Sequence, residues 1–465
     1  MAMGRRTSEQ HEPLWLPTAN LLDSPGHPFY QRLNDLLREH EFDRHAEDLC
    51  QGFYAPKMGR PGLAPGVYFR CLMVGYFEGI DSERGIAWRC ADSLSLRRFL
   101  GIGLDEQMPD HSTISRTRRL IDVETHAQIF SWVLKLLAEQ GLIQGKTVSV
   151  DATTMEANAA MRSIVRRDTN ERYDEFLTRL AKASGIQTPT RADLKKLDRT
   201  RPGKGSNDDW EHPQDPDAKI VKMKDGRTHL AHKVEHAVDL ETGAVVAMTI
   251  QPANAGDTTT FVKTAQETIH RLEEVKADPK VADQLSETVV EELVLDKGGH
   301  SNRVLVDLQE LGIRSYVSEP DRGPRKWKGK RCEQSAVYAN RRRIRGNRGN
   351  ALHKKRCELV ERSFAHTLET GAMRRAHVRG HDNVRKRYLI HVAAFDLGLL
   401  MRKLTGCGTP KGRHGRLAAA MAALFGTIRF VRDLLQTFEY QLVAHRPATA
   451  PYRPVLSTPT SATGC

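Results

Sequence analysis

Along residues 15–140 the apolar positions recur every three or four residues, the period of a helix packed on one side. Phe29, Leu33, Leu36 and Leu37 form one such stripe, and Pro28 suits the first turn of a helix there. The Gly/Pro-rich run 58–66 reads as a linker. Residues 67–77 read as an apolar helix, and 83–92 and 94–100 as two short helices with a turn between. Pro109-Asp110-His111-Ser112-Thr113 is a helix start, with Asp110 or Ser112 as N-cap. The helix behind it carries Arg116, Arg118 and Arg119. Short helices whose last member bears arginines suit a helix-turn-helix, and a plain helical bundle fits the same pattern.

After Gly145 the period shortens. Thr147-Val148-Ser149-Val150-Asp151 alternates and is rich in β-branched residues, which predicts a strand. Residues 161–184 form a charged stretch with helical character, and 185–218, rich in Pro, Gly, Asp and Lys, read as an inserted loop. The runs 229–240 and 244–250 flank Glu241-Thr242-Gly243 as a hairpin. A helix follows at 258–276, a short apolar strand ending in Asp296 at 293–296, a helix at 301–311, a strand at 313–317 and a helix at 354–370. Strands alternating with helices, plus one hairpin, predict an α/β domain over 141–405 with a mixed sheet. Residues 1–14 and the Pro/Thr/Ser-rich tail from 446 read as disordered, and 406–465 as a helical extension carrying that tail.

Charge changes the picture at one place. The net charge is +13, and the 36 residues 321–356 hold fourteen Lys/Arg against two acids, leaving the rest of the chain nearly balanced. Arg325, Lys326, Lys328, Lys330 and Arg331, and then Arg341, Arg342, Arg343 and Arg345, are candidates for contact with nucleic-acid phosphates. A solvated loop is the plainer reading of the same run. Trp327 and Tyr338 lie among these cations as possible stacking partners for bases. No apolar run reaches the ~20 residues of a membrane span, and the polar first residues do not suit a secretory signal. Seven scattered cysteines suit a reduced, cytoplasmic protein. No GxxxxGKS/T loop suggests a nucleotide cofactor.

The candidate chemistry is carboxylate chemistry. Asp151 and Asp296 each directly follow apolar strand residues, and groups at the carboxyl ends of strands face the ligand crevice of an α/β fold. Two such acids repel unless a cation joins them, and a divalent metal is one solution. Both also fit simple loop openings. Glu358, Glu361 and Glu369 are candidates for a third acid. Glu361 borders the stripe Val360, Phe364, Leu368, whereas Glu358 and Arg362, four apart, suit a surface pair. His229, His232 and His236 read better as strand residues than as zinc ligands, 232 and 236 sharing a face. Asp208, Asp209, Asp215 and Asp217 read as solvated acids of the loop, and Asp257 reads equally as a group orienting the active site and as a helix N-cap ahead of Phe261.

Three short blocks now resemble one family. Val150-Asp151-Ala152-Thr153, Leu295-Asp296-Lys297-Gly298 and Val360-Glu361-Arg362-Ser363-Phe364 are similar to the catalytic blocks of insertion-sequence DDE transposases, near the group numbered eleven-eighty-two and close to group five. Arg60-Pro61, the run 109–113, Gly256-Asp257-Thr258, Arg379-Gly380 and 388–400 extend the resemblance over residues 15–410. It implies a ribonuclease-H-like core, with helices on both faces of a mixed sheet, behind a helical DNA-binding domain. It implies Asp151, Asp296 and Glu361 as ligands of two Mg²⁺, with Mn²⁺ able to stand in, cutting at element ends and joining them to target DNA. The partners would be terminal inverted repeats and target DNA, bound by a homo-oligomer in the cytoplasm at the nucleoid. Where relatives carry Tyr, Arg and Lys around the glutamate, this chain has Lys354, Cys357 and Leu368; where they follow Asp-Lys-Gly with Tyr, it has Gly299. A catalytically inactive repeat-binding protein, and a nuclease that does not join, are the alternatives.

Overall fold

The computed structural model describes residues 26–55, 62–201, 205–223, 225–321 and 323–412. The expectations for 1–14, for most of the linker 58–66 and for the extension and tail beyond 412 lie outside the described residues.

The helical region is as the periodicity predicts: α1 (Pro28–Glu39), α2 (Phe42–Cys50), α3 (Pro65–Glu78), α4 (Glu83–Ala91), α5 (Leu94–Leu100), α6 (His111–Leu120) and α7 (Val123–Glu139). Side-chain caps start several of them. Asp110, not Ser112, caps α6 by accepting from Thr113 N at 2.7 Å, and Ser82, Ser93 and Asp122 cap α4, α5 and α7. Nearly every residue of α3 is buried, because it runs through the middle of the bundle.

The rest follows as β1 (Thr147–Glu156), β2 (Val165–Arg166), α8 (Tyr173–Ala183), α9 (Arg191–Thr200), β3 (Trp210–Glu211), β4 (Lys219–Lys222), β5 (Thr228–Asp239), β6 (Val245–Pro252), α10 (Asp257–Lys276), β7 (Glu292–Leu295), α11 (Asn302–Glu310), β8 (Arg314–Val317), α12 (Arg331–Arg345), α13 (Asn347–Phe364) and α14 (His381–Thr405). A π-helical turn, Ala365–Thr370, continues α13. The sheet runs β4-β5-β1-β7-β8, with β6 also on β5. The β5–β6 hairpin and the β1–β5 pair are antiparallel, while β1–β7 and β7–β8 are parallel. Helix α10 packs against β5, β6 and β1; α13 and α14 contact the same sheet. Helices on a mixed sheet behind a helical region are the α/β class expected.

Four details differ from the sequence reading. Strand β1 continues five residues past Asp151, because residues 152–156 keep pairing with β5, so Asp151 is mid-strand. Within 161–184 only α8 is an α-helix; Val165 and Arg166 instead pair with β3, with Ile164 buried beside them. The inserted segment 185–218 contains α9, started by a capping box between Thr190 and Asp193. The basic segment is helical too: α12 buries Ala336, Val337 and Asn340, and α13 begins at Asn347, before the predicted start.

The helical region and the sheet share one core. It runs from Phe29 through Val150 and Leu295 to Met401. Helix α14 is the reason: it is buried almost all round and packs on α3 and α7 as well as on β6. Its Arg387 approaches α3 so closely that a Cβ on Gly75 would lie 2.3 Å from the guanidinium, so only glycine fits there.

Candidate active site

Register places the two aspartates. Ser149 is the partner of Val294 in the parallel β1–β7 pair, so Asp151 and Asp296, two residues further along each chain, emerge side by side. Helix α13 passes over them and inserts Arg356, whose Nη2 lies 2.7 Å from Asp151 Oδ2 and 3.9 Å from Asp296 Oδ2. The other oxygens are held by backbone. Asp151 Oδ1 accepts from Ala152 N at 2.8 Å, and Asp296 Oδ1 from Gly298 N at 2.9 Å. Burial pushes the Asp151 carboxyl above the usual carboxylate range; Arg356 opposes this, and the charges of Asp296 and Asp257 add to it.

A third acid approaches from the other side of the Asp296 loop. A Cβ on Gly298 would lie 2.7 Å from Asp257 Oδ2 and 3.1 Å from Asp296 Oδ1, so the loop passes between those two carboxylates only as glycine. Lys233 fixes Asp257. Its buried ammonium donates to Asp257 Oδ1 (3.0 Å), Ala255 O (3.0 Å) and Thr260 Oγ1 (2.7 Å), and pairs with Glu235 at 3.0 Å. Thr260 and Thr264 in turn donate to the fully buried Glu235. Asp257 is not the N-cap, which is Gly256; it is the first residue of α10. Sequence reasoning missed Lys233 and Glu235, which belong to no block; their signal was two opposite charges two apart in one strand, which puts them on one face.

Glu361 is not brought to this pair. Arg356, Val360, Ser363 and Thr367, spaced four, three and four, form the face of α13 and its π turn that meets the sheet. Glu361 is five residues beyond Arg356, about 140° round the helix, and is exposed. It does not border the sheet-facing stripe as the spacing with Leu368 suggested. The pair Glu358–Arg362 forms on the surface as expected. Among the described residues no three His, Cys, Asp or Glu are grouped closely enough to hold a metal ion. Asp151 and Asp296 each turn Oδ2 toward a single positive group, Arg356. Leu368 is buried in the core, and a Cβ on Gly299 would lie 2.9 Å from Phe261 and 3.0 Å from Leu295. Gly299 has no room for the Tyr of the resembling sequences; Cys357 is exposed.

The candidate DNA-contact residues divide. Arg118 is buried and pairs with Glu83 at 2.7 Å, whereas Arg116 and Arg119 are exposed. Arg325 and Arg341 both pair with Glu319, and half-buried Arg343 donates to Ser315 O at 2.8 Å. Lys326, Lys328, Lys330, Arg331, Arg342 and Arg345 are exposed and make no ion pair with any described residue. The histidines are strand residues of β5, as predicted, and one acid of the inserted segment differs from its prediction. His236 lies between Ser363 Oγ and Tyr388 Oη at 2.9 Å each, and His232 faces Asp215 at 3.4 Å, both fully buried. Asp215 is thus not solvated: it is buried and accepts from Gly380 N.

Residues 18–120 match a family model described as a transposase domain (DUF772), ending where α6 ends. No curated protein and no solved structure matches the chain. The match supports a transposase and an interaction with DNA. No helix among the described residues is long and apolar enough to cross a membrane.

Proposed function

We propose that this protein is a DNA transposase of an insertion sequence, with a ribonuclease-H-like core that cuts element ends at Asp151 and Asp296 and joins them to target DNA. The observation that carries the reading is the convergence on one cation, Arg356, of two carboxylates from neighbouring parallel strands, Asp151 within β1 and Asp296 just past the end of β7. Asp151 and Asp296 are the residues that would hold divalent metal. A metal bound there supplies activation of a water or 3′-hydroxyl and stabilisation of the leaving oxygen. Arg356, beside both carboxylates, would be placed to meet a phosphate of the DNA, the anion its planar fork suits. Lys233 keeps the Asp257 carboxylate turned to the Asp296 loop. Glu361 is the third ligand that the resemblance implies, and in this structure it is exposed. Arg116 and Arg119 serve the inverted repeats, and the exposed cations of 326–345 hold DNA beside the cut. Pairing two ends asks for at least two copies of the chain.

The test is mobilisation in cells of a marker flanked by the native element ends. Wild type moves it; Asp151→Ala and Asp296→Ala abolish movement while end binding survives. Loss of binding in these variants would remove the catalytic assignment. Glu361→Gln decides the third ligand: full activity there excludes it. A second reading, a repeat-binding protein that does not cut, is favoured by Arg356 already neutralising both aspartates. It predicts binding with no strand cleavage by wild type at any Mg²⁺ or Mn²⁺ concentration.

A further inference from the structure

The chain between β8 and α12 carries Trp327, and the outward face of α12 carries Tyr338. Their ring centroids are 6.1 Å apart at 49°. Arg325 lies over the Trp327 ring at 5.8 Å and Arg341 over the Tyr338 ring at 5.2 Å. One acid, Glu319, holds both arginines, at 2.7 and 2.6 Å. Arg325 also donates to Asn302 Oδ1 at 2.9 Å, tying the group to the start of α11, just after the Asp296 loop. The two rings and two guanidiniums are therefore fixed before any ligand arrives. Trp327 is half-buried against the core, while Tyr338 stays 41% exposed.

The place matters as much as the rings. In the parallel β7–β8 pair Leu295 is the partner of Val317, so Ser318 leaves the sheet level with Asp296 and Glu319 follows it. Around the rings stand Lys326, Lys328, Lys330 and Arg342, exposed and without ion pairs to described residues. Cations alone would follow a phosphate backbone. An exposed aromatic among them adds a surface that only an unpaired base can use, since bases inside a duplex already stack on each other.

We propose that Trp327 and Tyr338 form a seat for an unpaired nucleobase of a DNA end whose backbone runs over Lys328, Lys330 and Arg342 toward Asp296. The proposal rests on DNA being the substrate. Full-length protein is titrated, by fluorescence anisotropy, with a labelled blunt duplex, with the same duplex mismatched over its last few pairs, and with a copy abasic on both strands at those pairs. The mismatched end should bind about tenfold tighter, the scale of base–aromatic stacking. The abasic end should lose that preference. Tyr338→Ala, and Trp327→Leu, which keeps an apolar anchor, should lose it while blunt-duplex binding persists. Equal binding of wild type to all three, or a preference that survives both variants, overturns the seat and leaves the transposase reading standing. Absence of binding to any DNA overturns both.

Discussion

In the helical region Arg70 and Arg118 turn inward. Arg70 pairs with Asp43 at 2.8 Å and donates to Asn34 and Phe99, and Arg118 pairs with Glu83. At the strand ends of the sheet the basic segment does both things at once. Arg325, Arg341 and Arg343 face the fold, while Lys328, Lys330, Arg342 and their neighbours face solvent. The difference is made by acids and carbonyls on neighbouring elements. An arginine that meets Glu83, Glu319 or Ser315 becomes a strut; one on the far side of the same helix stays open to phosphate. A count of cations in sequence therefore overstates a DNA surface.

The largest effect that sharpens this contrast is on stability. Arg118→Ala leaves Glu83 without its partner in a buried site and should destabilise by about 3–5 kcal/mol. Arg116→Ala and Arg119→Ala, on the exposed side of the same helix, should stay within about 0.5 kcal/mol of wild type. Urea midpoints of the three variants check this. A small effect at Arg118 would return it to the DNA-contact set.

Protonation probes whether the two regions are one folding unit. His126, between Tyr68 and α7 backbone, and His236, between Ser363 and Tyr388, are each pushed by burial to a pKa of about 3. A histidine takes up its proton near 6.5 when unfolded, so the unfolded state binds more protons across this window. Stability is full above that pH and falls as pH drops toward 3. The loss is about 1.4 kcal/mol per pH unit for each histidine. His126→Gln and His236→Gln should each flatten the fall of the urea midpoint between pH 6.5 and 4. One transition responding to both variants is expected from the shared core that α14 builds. Two transitions, each responding to one histidine, would split the molecule between the regions.

Much of this was legible in the chain. The stripe of α1, the cap at Asp110, the β5–β6 hairpin and the two aspartates after apolar strand residues all rest on local spacing, which the fold respects. Failures came where a distant element decides. The phase of α13 is set by His236 and Tyr388 receiving Ser363 and Thr367, which turns Arg356 to the aspartates and Glu361 to solvent. Asp215 reads as a loop acid until His232 faces it from 17 residues on. Lys233 and Asp257 meet across a strand and a helix start with no motif to announce them. Trp327 and Tyr338 were legible as aromatics among cations; their closeness was not.

The smallest effect separates struts from open cations directly. Removing one cation that meets a DNA phosphate reduces the slope of log affinity against log salt by about 0.9. Lys328→Gln, Lys330→Gln and Arg342→Gln should each lower the slope for duplex DNA by about that amount, with urea midpoints unchanged. Arg343→Gln should do the reverse, because its guanidinium donates to Ser315 inside the fold: stability falls and the slope holds. If Arg343→Gln also lowers the slope with stability intact, the inward arginines are reachable by DNA. The division between the two faces of α12 would then have to be redrawn from binding data, beginning with Arg341, whose pairing with Glu319 is the same kind of interaction.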